Sequence, residues 1–158
     1  MKKIKLVIGL GNPDPQYEKT YHNVGHSMVD YLQRQETRDK KQIKTEVFMN
    51  KSGLFVKEAL KKEGVKPEQL LVIHDDSDIE LGRFKVSFGR NSAGHKGVQN
   101  IINQLKTKDF WRLRIGIRPP KNKEKADELV LKNIPPAKME ILKKVFKEAF
   151  TRLEQLLR

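Results

Sequence analysis

Residues 4–14, IKLVIGLGNPD, decide how the chain is read. The run from Ile4 to Leu10 is apolar, rich in β-branched residues and punctuated by glycine, which predicts a buried strand. The overlapping GLGNPD then resembles the start of a phosphate-binding loop. A dinucleotide fingerprint places glycine at its first, third and sixth positions, so that the backbone turns, approaches the pyrophosphate and packs the next helix. Gly9 and Gly11 fit, but Asp14 holds the sixth position, and a carboxylate there repels phosphate. Pro13 and Pro15 also stop a helix from starting where that motif needs one. A dinucleotide-dependent enzyme is therefore disfavoured, and a strand ending on glycine and Asn12 needs another purpose.

Beyond this stretch, strand and helix patterns alternate. Val24, Met28, Val29 and Leu32 recur at helical spacing to about residue 34. The charged, poorly patterned segment 36–44 reads as a mobile, solvated connection, and a strand follows near 43–48. Ser52 is expected to cap a helix that buries Phe55, Ala59 and Leu60 and stops at Gly64, with Pro67 beyond it. QLLVIH, FKVSF and RLRIGI read as strands, with a helical stripe of Val98, Ile101, Ile102 and Leu105 before the last. From Pro136 a long amphipathic helix carries Leu142, Val145, Phe146, Ala149 and Leu153, its apolar face directed to the core. This pattern predicts an α/β fold: one three-layer domain over residues 1–158, its mixed, mainly parallel sheet flanked by helices, with room for an antiparallel pair around Gly82. No internal repeat is visible.

Composition narrows the function. The absence of cysteine among the 158 residues excludes disulfides, thiolate metal sites and a cysteine nucleophile, and suits the cytoplasm. Apolar runs are far shorter than a membrane span, and the N-terminal sequence lacks the pattern of a signal peptide. Thirty-three Lys and Arg against twenty Asp and Glu give a net charge of +13, which points to an anionic partner. With few aromatics, a folded, phosphate-rich RNA suits this charge better than a displayed row of bases. Solubility alone is the alternative explanation.

Polar residues collect where an α/β sheet places function, just beyond the carboxyl ends of strands. Asn12 follows the first strand, Asn50 lies in VFMNKSG, Asp75 in HDDSD and His95 in SAGHKG, while His22 opens the first helix in YHNVGH. A hydrolytic site needs a base near neutral pH, a group that holds its tautomer, and donors aimed at developing negative charge. His22 can be the base, Asp75 its carboxylate, and Asn12 and Asn50 the amide donors. No serine sits in a G-x-S-x-G turn, so water activated directly by histidine is the economical mechanism. For His22 a cap or surface role is the plain alternative. HDDSDIE falls short of a calcium loop, because Leu81 stands where an EF-hand starting at Asp76 needs glycine, and Asp76 and Asp78 read as turn formers.

In order and approximate spacing, GLGNP, YHNVGH, FMNKSG, HDDSD, SAGHKG and RLRIGI resemble the bacterial-type peptidyl-tRNA hydrolase family, from about Leu6 to Leu131. The resemblance implies an α/β monomer, without metal or organic cofactor, that cleaves the ester between a peptide and the terminal ribose of tRNA, recycling tRNA from aborted translation. It implies His22 as catalytic base with Asp75 as its acidic partner. Asn12, Tyr17, Met49, Asn50, His95 and Lys96 become the expected substrate-binding residues, and Lys85 and Arg114 the expected grip on tRNA. Three features depart from the family pattern. The segment between His22 and Asn50 is short, Lys96 stands where many members have asparagine, and Ser87 replaces a residue that is often basic. These leave open a catalytically weak tRNA-binding or ribosome-associated member.

Overall fold

The computed structural model describes residues 3–35 and 40–157. Five strands form one sheet in the order β2-β1-β3-β5-β4: β1 (Leu6–Gly9), β2 (Lys41–Lys44), β3 (Leu70–Glu80), β4 (Phe84–Phe88) and β5 (Trp111–Arg118). All neighbouring pairs are parallel except β4 with β5. The antiparallel pair therefore does not span Gly82, as the sequence allowed; β5 lies between β3 and β4. Gly82, at φ +101°, makes the turn that sends β4 to the far side of β5.

Helices cover both faces, as the α/β pattern predicts. On one face α1 (Val24–Gln33) and α5 (Pro136–Leu157) enclose a core that includes Met28, Val29, Leu113, Ile115, Phe146 and Leu153. On the other, α2 (Ser52–Glu63) and α3 (Lys96–Leu105) pack Val56, Leu60, Val98 and Ile101 against Leu6, Ile8 and Val72. A short helix, α4 (Ala126–Leu129), has no clear signature in the sequence pattern.

Several boundaries differ from expectation. The second strand is Lys41–Lys44, inside the segment read as solvated connection, and residues 45–48 lie outside it. Pairing with the edge of β1, rather than apolar content, defines it. Residues 36–39 of that segment lie outside the described residues. Ser52 does not cap α2: its hydroxyl donates to the Met49 carbonyl (2.7 Å), and Lys51 occupies the cap position. Val56 takes the buried place on that helix, whereas Phe55 and Ala59 are half-buried. Gly64 closes α2 in the left-handed conformation, φ +65°, as predicted. HDDSD is not a loop but the second half of β3, which runs on to Glu80 past an irregularity between Asp76 and Glu80.

A pair of glycines positions the site. A Cβ on Gly9 would lie 2.4 Å from the Gly25 carbonyl oxygen, and one on Gly25 would lie 2.4 Å from that of Ile73. Backbone contact between the start of α1 and the ends of β1 and β3 is possible only with hydrogen at both positions. That contact brings YHNVGH over the carboxyl end of the sheet, next to Asp75. There β1 and β3 lie side by side, and the chain leaves β1 toward β2 but leaves β3 toward β4 and β5 on the other side, which is where α/β sheets form their crevice.

Candidate active site

Asp75 lies at the centre, 1 % exposed, with a histidine on each carboxylate oxygen. His22 Nδ1 is 2.8 Å from Oδ2 and His95 Nε2 is 2.9 Å from Oδ1. The two histidines are not equivalent. His95 caps α3, its Nδ1 accepting from the Val98 N–H (3.2 Å), so its proton resides on Nε2 and is donated to Asp75. His22 donates through Nδ1, which leaves the Nε2 lone pair available to the cavities that the ring lines. Burial opposes the charged form of His22, but the adjacent Asp75 charge and its hydrogen bond outweigh it and raise the histidine's proton affinity; Lys96 acts the other way. The two imidazolium-capable partners hold the Asp75 carboxyl far below its usual range despite complete burial.

Further residues lock this centre. His74, fully buried, donates Nδ1–H to the Asp75 carbonyl (2.7 Å) and accepts from Arg112 (3.3 Å) at Nε2, while burial and the nearby His95 and Arg112 keep it neutral. Arg112 also donates to the carbonyls of Arg90 (3.2 Å) and Asn91 (2.7 Å), tying the loop that leads to His95 onto β5. Burial and the Arg114 cation pull Arg112 down to about 10.

Asn12 is held on three sides. Its backbone N–H and C=O pair with the Asn23 side chain (2.8 and 2.9 Å), and its Oδ1 accepts from the Met49 N–H (2.8 Å). The amide NH2 is thereby left as the donor for the cavity that Asn12 lines. Behind it, Thr45 accepts from the Gly11 N–H, donates to the Gly11 carbonyl and meets His26 Nε2 at 3.0 Å. Burial and then Lys44 depress His26 to about 4.

Two cavities meet at His22. One, of about 450 Å³, is bounded by Asn12, Phe48, Met49, Asn50 and Lys51; the other, of about 400 Å³, by Asp78, Ala93, Asp127, Val130 and Leu131. His22 and Lys96 are the residues that line both. The structure thus gathers His22, Asp75, Asn12, Met49, Asn50, His95 and Lys96 as the sequence expected. Tyr17 lies outside both linings, in the turn Pro15–Tyr17, where its carbonyl accepts from Thr20.

Arg114 corrects a second expectation. It is not a free phosphate grip: its side chain is 5 % exposed, Nε pairs with Asp76 (2.9 Å) and Nη1 donates to Ser87 (3.2 Å). Alternation along β5 places both Arg112 and Arg114 on one covered face. Asp76 in turn is more than a turn former, since one oxygen accepts from the Asp78 N–H and the other holds Arg114. Arg114 forms the floor of a third cavity, about 520 Å³, whose rim carries Lys85, Arg90 and Arg152. Sequence reasoning missed Asn23, His74, Arg90 and Arg112 as working residues. Asn23, His74 and Arg112 had a visible signal, their places inside YHNVGH, HDDSD and RLRIGI, and Arg90 had none.

His22, Asp75 and His95 offer ligand atoms within 4.8 Å of one another, a spacing that suits a metal ion. Their protons argue for a hydrogen-bonded set instead. A metal on His95 Nε2 would drive that proton to Nδ1 and break the helix cap.

A histidine with one ring nitrogen open to a cavity, a carboxylate that fixes its tautomer and an oriented amide donor have the composition of a hydrolytic site at the carboxyl end of an α/β sheet. Comparison with known proteins agrees. The family model for peptidyl-tRNA hydrolase matches residues 6–158, and the chain belongs to that family. The peptidyl-tRNA hydrolase of Aquifex aeolicus is 37 % identical over 92 % of this chain and 86 % of its own. That of Thermodesulfovibrio yellowstonii is 43 % identical over 71 % of each. The crystal structure of the Acinetobacter baumannii peptidyl-tRNA hydrolase superposes with a TM-score of 0.89 at 28 % identity, covering 99 % of this chain and 90 % of its own.

Proposed function

We propose that the chain hydrolyses the ester between an N-blocked peptide and the terminal ribose of tRNA by water that His22 activates. The observation that carries this is the orientation of His22, whose Nδ1–H is committed to Asp75 while Nε2 remains open. Nε2 takes a proton as the water oxygen bonds to the ester carbonyl carbon. The Asn12 NH2, aimed by Met49 N–H on the opposite end of its amide, and Asn50 donate to the oxyanion that forms. When the intermediate collapses, the carbon–oxygen bond to the ribose breaks and His22 returns its proton to the 3′ oxygen. Asp75 stays ionised and stabilises the transient imidazolium.

An ester needs no Lewis acid for this sequence, so the reading invokes neither metal nor organic cofactor. The reading takes the protein to act as a monomer, and an aborted-translation substrate puts its work in the cytoplasm. The tRNA phosphates are assigned to the basic rim of Lys85, Arg90 and Arg152, with Arg114 bracing it from below. Arg90 and Arg152 supply cations where Ser87 has none. No helix among the described residues is long and apolar enough to cross a membrane.

Cleavage of N-acetylaminoacyl-tRNA in water enriched in oxygen-18 tests the reading. It predicts one heavy oxygen in the released acid and none in the ribose hydroxyl. Tight tRNA binding with an intact ester would overturn it in favour of a binding protein.

A further inference from the structure

The two cavities that meet at His22 carry opposite charge. The asparagine-lined cavity has two lysines, Lys51 and Lys96, in its wall and no carboxylate. The other has Asp76, Asp78 and Asp127, with Asp75 behind them, and Lys96 as its one cation. Both lysines are exposed, and neither has an ion-pair partner among the described residues. Lys96 is close enough to His22 for its charge to oppose protonation of that ring. The acyl group must lie on the side of Asn12 and Asn50, whose amide donors serve its carbonyl. The nitrogen one carbon from that carbonyl then enters the lysine-bearing cavity.

We propose that Lys96, assisted by Lys51, sorts substrates by charge, rejecting esters whose α-amino group is protonated and admitting those whose amine is acylated. This inference rests on the hydrolytic reading above and names the residues that set its specificity. A free aminoacyl ester carries an ammonium into a cavity that already holds two and offers no carboxylate to receive it. Acylation removes that charge and costs the peptide nothing. An ammonium about 6 Å from a second, at an effective dielectric near ~40, is disfavoured about tenfold, and exposure of the lysines to salt reduces this. Asparagine in place of Lys96 would offer hydrogen bonds without repulsion. The lysine makes this chain's preference electrostatic.

The test is the ratio of kcat/KM for N-acetylaminoacyl-tRNA to that for the same unblocked aminoacyl-tRNA, in wild type, Lys96→Gln, Lys96→Arg and the Lys51→Gln/Lys96→Gln double variant. Because His22 serves both esters, its own titration cancels. The ratio is expected to fall about threefold to tenfold in Lys96→Gln, further in the double variant, and to stay high in Lys96→Arg. In wild type it should also fall as pH rises through the α-amino pKa of about 7.7–8.0, and in the double variant it should change less with pH. Equal ratios in all four proteins, or a wild type that cleaves both esters alike, would overturn charge sorting while leaving hydrolysis intact. A wild type that cleaves neither ester would overturn both readings together.

Discussion

Replacing Asp75 with asparagine exposes how the site fixes its base. The Val98 N–H requires His95 to keep its proton on Nε2, so the new side chain must turn its oxygen toward His95. Its NH2 then faces His22 Nδ1, which has to become the acceptor. The proton of a neutral His22 moves to Nε2, and the lone pair that accepted the water proton is lost. Positioned base catalysis contributes roughly 10² to 10⁴, and the same wrong-tautomer change in Ser-His-Asp hydrolases costs about 10⁴. We expect Asp75→Asn to lose about 10³ to 10⁴ in single-turnover hydrolysis of N-acetylaminoacyl-tRNA, about 4 to 5.5 kcal/mol in the barrier. Affinity for tRNA, measured separately by filter binding or anisotropy, should hold within about twofold, because Asp75 is buried away from the basic rim. Any residual pH dependence should shift its acidic limb downward, since the carboxylate that raises His22 is gone. A variant within about fivefold of wild type, with binding intact, would refute the tautomer assignment.

Other expectations follow from the same geometry. Gly97→Ala places a Cβ 2.6 Å from Met49 Sδ and 3.2 Å from His95 Cε1, so it should cost about 1–3 kcal/mol in chemical denaturation and lower turnover as Met49 and His95 are displaced. Asp76→Ala strands Arg114 as a buried, unpaired cation, and urea unfolding should register a loss of about 3–5 kcal/mol. Acid sensitivity has a sign. His26 is neutral in the fold and depressed from 6.5 to about 4, so the unfolded chain binds the extra proton between those values and stability falls as pH drops through that window. The shift corresponds to about 3 kcal/mol, opposed in part by His22, whose raised affinity stabilises the fold on the acid side; His26→Gln should flatten the profile of unfolding free energy against pH over that range.

How far the sequence carried depended on the kind of feature. Strands and helices with strong apolar periods were legible, as were glycine stops such as Gly64. The Lys41–Lys44 strand was not, because an edge strand with polar side chains is defined by its partner's backbone rather than by its own pattern. HDDSD misled for a related reason. Its polarity resembles a loop, yet Asp75 and Asp76 are buried in β3 because each carboxylate is satisfied, one by two histidines and the other by Arg114. Arg114 was expected to grip tRNA because the family resemblance implies it, and only the sheet register, which the resemblance does not spell out, brings Asp76 against it. Asn12, His22 and His95 were legible because they follow strand ends in an α/β order, whereas Asp75, singled out by its place in HDDSD, lies within β3. The residues that hold them, Asn23, Thr45, His74 and Arg112, act through contacts between distant segments, which spacing alone does not encode.

The role of His22 admits the most direct test. His22→Ala, folded as judged by circular dichroism and binding tRNA like wild type, is compared with wild type in cleavage of N-acetylaminoacyl-tRNA at neutral pH. Water activation by His22 predicts a loss of at least about 10² in kcat, with Kd for tRNA nearly unchanged. Retention of wild-type turnover in that variant would contradict it and move the base elsewhere in the molecule.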